Sequence, residues 1–259
     1  MAYKLLTFFE KIGIDVSLYS VDRDYGGVYG ESILKIDPKR FEIDPETFLD
    51  YAKEDFLSFD ERGCINALSN VKRSIECQSD IIHFSFGIPY SKLNFPTKME
   101  NLQKMGMSPS KIFNRMNQIR VNLEHFYKKP DINRVKDGIE IAELFLSVTS
   151  LSMTNFSEVF FISEDVDESS DDMTMMSATH IRVEFDKQNN RFELTPTIKQ
   201  EKGAILQISV NDKEDFFELI KLSINIGKRR ATPSVNKQLF KAFYSNLNSN
   251  LTIDSKVKK

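Results

Sequence analysis

Arg120 and His125 stand five positions apart in the run Arg120-Val121-Asn122-Leu123-Glu124-His125-Phe126-Tyr127. Histidine titrates near neutral pH, so it can take or give a proton during a reaction. Arginine stays charged and can grip two phosphoryl oxygens, stabilising the negative charge that grows in a transition state. The two types together suit cleavage of RNA by its own 2′-hydroxyl. A base removes the hydroxyl proton, the oxygen attacks the neighbouring phosphorus, and a cyclic phosphate is left. Such chemistry needs no metal and no cofactor.

Spacing limits what one copy can do. Five residues along a helix turn the two side chains about 140° apart and lift them by about 7.5 Å. Two copies facing across a two-fold axis can gather two arginines and two histidines around one phosphate. The same residues also fit a plainer pattern: Arg120 and Glu124, four apart, match a surface ion pair, with His125 and Tyr127 as ordinary helix-end residues.

Other constellations offer less. His83 lies one residue off the apolar stripe of a long helical segment and reads as structural, and His180 opens a β-prone run without an evident partner. Cys64 and Cys77 fall near opposite ends of one helical segment, too far apart to bridge. Tyr25 to Gly30 holds three glycines but lacks the Lys-Ser/Thr of a phosphate-binding loop. Asp165, Asp167, Asp171 and Asp172 lack the glycine and closing glutamate of a calcium loop. No Cys/His ligand set with zinc spacing occurs.

The elements that must position Arg120 and His125 are mainly helices. A short helix is expected over Tyr3 to Lys11, and another from Asp44-Pro45-Glu46, where Asp caps and Pro fills the first turn. Cys64, Ile65, Leu68, Val71, Ile75, Ile82 and Phe86 recur at helical spacing from Asp60 to Phe86. Phe95-Pro96-Thr97 and Ser108-Pro109-Ser110 mark two further starts. The second of these leads into a helix to Lys128 with Ile112, Met116, Ile119, Leu123 and Phe126 on one face. Asp131 caps the next, through Met153. The stretch 58–155 therefore reads as an antiparallel helix bundle, preceded by an N-terminal extension over 1–57.

After Asn155 the period changes. Val159 to Ile162, Ile181 to Phe185, Phe192 to Thr195 and Ile205 to Val210 are β-prone, and Lys187-Gln188-Asn189-Asn190 is a hairpin signal. Glu164 to Met176 is acidic and polar, the composition of a loop. Helices are expected over Lys213 to Ile226 and Val235 to Leu247. Residues 156–259 thus form a small α+β domain with an antiparallel sheet, and the whole chain is an α+β protein, mostly α.

Composition is that of a globular protein, with 41% hydrophobic and 28% charged residues. The net charge of −3 is uneven: nine Lys/Arg face only Asp254 from Lys221 onward, a basic tail on an acidic body. No apolar run is long enough for a membrane span, MAYKLLTFFEKIG is no leader, and cysteine usage fits a reducing cytoplasm.

Arg120-x4-His125-x-Tyr127 on a bundle helix resembles the signature of the HEPN superfamily, Arg-x(4–6)-His. It is most similar to the toxins of HEPN–MNT pairs. The resemblance covers about Asp60 to Met153. The flanking Phe95-Pro96-Thr97-Lys98-Met99, Leu102 to Gly106, and Lys136 to Phe145 are similar to uncharacterised bacterial HEPN-like proteins. Many members carry a polar residue directly after the arginine, where this chain has Val121.

The resemblance implies a metal-independent endoribonuclease acting as a homodimer with a shared cleft, in a toxin or anti-phage defence role. His125 and Arg120 would be catalytic, with Asn122 and Glu124 supporting them and Lys128 and Lys129 contacting RNA phosphates. Tyr127 matches the tyrosine at which the family's toxins are neutralised by AMP attachment. RNA and an operon-encoded antitoxin or defence partner are the expected partners, with no membrane. The alternative is a catalytically inactive HEPN-like module serving as sensor, adaptor, RNA-binding scaffold or dimerisation unit.

Overall fold

A computed structural model of the chain describes residues 4–23, 39–58, 60–107, 130–164, 179–198, 201–228 and 233–257. Among the described residues, seven helices and six strands make it α+β and mostly helical. Two compact units divide the chain: Ser32–Thr154 forms one, and Met1–Glu31 joins Asn155–Lys259 in the other.

This division corrects the expected boundaries. The segment 1–57 is not a single N-terminal extension, and 156–259 does not close its sheet alone. α1 (Lys4–Lys11) and β1 (Tyr19–Arg23) belong with the C-terminal elements, and the helical unit is inserted in the sequence between β1 and β2.

In the helical unit, α2 (Pro45–Phe56), α3 (Glu61–Ser85), α4 (Phe95–Lys104) and α5 (Ile132–Thr154) begin where cap chemistry places them. The Asp44, Asp60 and Asn94 side chains accept from the N–H groups of Thr47, Gly63 and Thr97 at 2.7, 2.6 and 2.9 Å. Binding the Gly63 N–H holds the Asp60 carboxyl below its ordinary range. The α2–α3 corner is too tight for a side chain, since a Cβ on Gly63 would lie 2.4 Å from the Asp55 carbonyl oxygen.

Contacts along α2 and α3 run in opposite senses. Ser74 donates to the Pro45 carbonyl at 2.8 Å, and Asn70 to Asp55 at 2.8 Å. The core between the helices is apolar, with Ala52, Ala67, Val71, Ile75, Ile82, Leu102, Val135 and Ala142 almost fully buried. Burying such side chains supplies the main drive for the unit, about 1.5–3 kcal/mol for each large aliphatic one.

The second unit is a sheet in the order β1-β2-β3-β4, built on β2 (Val159–Glu164), β3 (His180–Asp186) and β4 (Arg191–Ile198), with β5 (Glu201–Lys202) and β6 (Leu206–Ser209) both pairing β4. All pairs are antiparallel. The β3–β4 hairpin forms where the turn signal predicts it. Asp186 accepts from the Gln188 and Asn189 N–H groups at 2.9 and 3.1 Å, and Asn190 takes φ 50°.

Strand β1 pairs with β2 from Tyr19 opposite Glu164 to Arg23 opposite Phe160. Alternate residues turn inward: Phe160 and Ile162, Ile181, Val183 and Phe185, Phe192 and Leu194. Phe192 lies 5.6 Å from Phe216 of α6 (Lys213–Lys228). Phe9 of α1 lies 6.2 Å from Phe240 of α7 (Pro233–Val257). Among the described residues no helix is long and apolar enough to cross a membrane.

Candidate functional site

The helical unit fixes both ends of the stretch that carries the motif. At the end of α4 the Met105 and Met107 N–H groups donate to the Asn101 and Leu102 carbonyls, and Gly106 at φ 75° turns the chain out of the helix. Met107 is buried. The described residues continue from Pro130, and Asp131 starts α5 by accepting from the Asn133 N–H at 2.8 Å. Arg120, Asn122, Glu124, His125, Tyr127, Lys128 and Lys129 all fall in 108–129, outside the described residues. Tyr25 to Gly30 and the acidic run from Asp165 also lie outside them.

His83 is the structural histidine its position predicts. It is fully buried, and its Nδ1 lies 2.7 Å from the Ser79 carbonyl oxygen, an atom that can only accept. Nδ1 therefore carries the proton, and Nε2 accepts from the Asn101 amide at 3.2 Å. Neutral imidazole satisfies both contacts, tying α3 to α4.

A second polar tie joins α3 to α5. Gln78, buried, donates to Thr149 Oγ1 at 3.0 Å and to Ser150 at 3.3 Å, while Thr149 donates to the Phe145 carbonyl at 2.7 Å. Periodicity alone missed these groups. Their signal was present: Ser74 and Gln78 interrupt the apolar face of α3 at helical spacing.

One corner of the helical unit gathers cations and rings that sequence reasoning also missed. Arg40, just before α2, holds its guanidinium 5.3 Å from the centre of the Phe84 ring and reaches the Tyr90 hydroxyl at 3.4 Å. Phe41 lies 5.9 Å from Phe84 and 6.3 Å from Tyr90. Behind them, Lys98 of α4 pairs with Asp80 of α3 at 2.5 Å and sits 5.7 Å from the centre of the Tyr90 ring. Burial raises the Asp80 carboxyl, and the bond from Lys98 opposes it.

In the sheet unit, Asp215 at the start of α6 is almost fully buried and accepts from the Lys4 N–H at 2.9 Å. Burial pushes its carboxyl up to about 6, against the pull of the Lys4 and Leu5 N–H groups. Lys4 Nζ pairs with Asp212 at 2.7 Å. His180 packs its ring 6.0 Å from Phe161. Cys64 and Cys77 are free thiols on α3, and burial pushes Cys77 up to about 11, away from nucleophilic use. Among the described residues no group of three or more His, Cys, Asp or Glu side chains is placed to hold a metal. No family model matches the chain, and neither a curated protein nor a solved structure matches it.

Proposed function

We propose that this chain is a metal-independent endoribonuclease of the HEPN type, acting in the cytoplasm as a toxin or anti-phage effector. The observation that carries the reading is the motif Arg120-x4-His125-x-Tyr127. It falls in a stretch bounded on both sides by helices of one helical unit. Composition of a globular protein and the absence of any membrane-spanning helix among the described residues agree with it.

His125 takes the proton of the RNA 2′-hydroxyl. The freed oxygen attacks the adjacent phosphorus, the bond to the 5′-oxygen breaks, and that oxygen leaves with a proton taken from water. Arg120 stabilises the charge on the non-bridging oxygens. Asn122 and Glu124 orient the pair, Lys128 and Lys129 hold neighbouring phosphates, and Tyr127 is the residue through which an antitoxin partner silences the enzyme.

Purified protein should cut single-stranded RNA in EDTA and leave 2′,3′-cyclic phosphate ends, sparing DNA, which lacks the attacking hydroxyl. His125→Ala should slow cleavage by about 10² to 10⁴ and Arg120→Ala by about 10² to 10³. Cleavage lost in EDTA, or untouched by both substitutions, would sink this reading. Val121, where the family favours a polar residue, supports a second reading: an inactive module that binds RNA or a partner protein. RNA binding without any cleavage would select it.

A further inference from the structure

We propose that the corner formed by Arg40, Phe41, Phe84, Tyr90 and Lys92 is a binding platform for single-stranded RNA, stacking a base against its rings and holding phosphates on Arg40 and Lys92. This deepens the ribonuclease reading by assigning where substrate is gripped away from the scissile bond.

The rings come from three places: the segment before α2, the last turn of α3 and the turn that follows it. Phe84 is only partly buried, whereas Phe86, two residues on, is fully enclosed. Phe41 and Tyr90 are partly exposed as well. Three large rings left partly in solvent at one corner are a costly way to finish a core, because each forgoes apolar burial. They are well suited to a planar partner, since every nucleobase presents a π-face to an aromatic ring.

The charges point the same way. Arg40 is exposed, and among the described residues no carboxylate pairs with it. Lys92 is exposed in the turn closed by the Leu93 N–H on the Tyr90 carbonyl at 2.9 Å. Lys98 adds no net charge, because Asp80 neutralises it. Arg40 lies against the rings and Lys92 follows Tyr90 by two residues, and among the described residues neither has a carboxylate partner. The sequence from Ile88 to Pro130 carries eight Lys/Arg against two Glu, in a chain whose net charge is −3. Cations beside stacking rings match the alternation of phosphate and base along a single strand.

The test is fluorescence anisotropy of a 5′-labelled twelve-nucleotide oligoadenylate with full-length His125→Ala protein, titrated at several salt concentrations. Arg40→Gln and Lys92→Gln should each reduce the slope of log Kd against log salt by about 0.7. Tyr90→Leu and Phe41→Leu should weaken binding by roughly tenfold while leaving that slope unchanged. Melting curves check that each variant folds; if a ring variant does not, the two exposed cations carry the test. Affinity and slope unchanged in all folded variants would overturn the platform. So would an acidic peptide that competes equally well while the ring variants bind RNA normally. Loss of cleavage in the wild-type assay would instead overturn the ribonuclease reading, and oligoadenylate binding at this corner would survive it.

Discussion

The Lys4 backbone N–H donates to Asp215 Oδ2 at 2.9 Å, joining residues 211 apart in sequence. The first turn of α1 has N–H groups with no partner inside the helix, and a carboxylate from α6 supplies one. The two ends of the chain are thereby fastened within one unit, alongside the pairing of β1 with β2.

A pH dependence follows from the burial of this carboxyl, which outweighs the pull of the bond. Burial raises the Asp215 carboxyl to about 6 in the folded chain, above its unfolded value of about 3.9. The folded state therefore binds this proton more tightly than the unfolded state. The resulting stability is fully present below about pH 4 and is lost as pH rises through about 6, an effect on the order of 2 kcal/mol. Urea unfolding at pH 5 and pH 7 should show the sheet unit more stable at the lower value. Asp215→Asn should flatten the difference. An unchanged difference in that variant would assign the effect to other groups.

Gly227 sets a steric test of how α6 meets the start of the sheet unit. A Cβ there would lie 1.6 Å from the Asn155 carbonyl oxygen, a backbone atom that no rotamer change can move away. Gly227→Ala should cost about 2 kcal/mol or more, since overpacking against backbone forces the elements apart. Gly13 is the contrast: its φ is +70°, but a Cβ would meet nothing within 4 Å. Gly13→Ala should cost only the backbone strain, about 1 kcal/mol. Chemical denaturation of both variants checks the order, and a larger loss at Gly13 would contradict it.

Local signals made most of this fold legible. Asp44, Asp60 and Asn94 cap the helices that follow them because their side chains reach the N–H three residues on, a relationship written in adjacent sequence. The Asp186 turn is likewise local. Strand β1 is a different case. Tyr19 and Val21 alternate as strand residues do, but the partner strand begins at Val159, and nothing near Tyr19 encodes that distance.

The same limit applies to the sites. Asp215 reads as an ordinary acid in a first turn, and only folding brings it to Lys4. Arg40, Phe84 and Tyr90 meet across about fifty residues with no spacing rule to announce them. Arg120 and His125 stand out in the sequence for the opposite reason: a span of six adjacent residues, expected on one helix, carries the whole signal.

The composite-site idea has its own test, independent of any image of the cleft. If catalysis needs Arg120 from one copy and His125 from the other, neither Arg120→Ala nor His125→Ala homodimers should cleave RNA. Mixing the two variants under exchange makes about half of the dimers mixed, and each mixed dimer keeps one intact pair of the two. Activity should therefore recover to about a quarter of the wild-type rate. If Arg120 and His125 of the same copy act together, every site in the mixture lacks one of them, and no activity returns. A dimer measured by sedimentation, with no recovery on mixing, would leave the ribonuclease chemistry standing and remove the shared cleft.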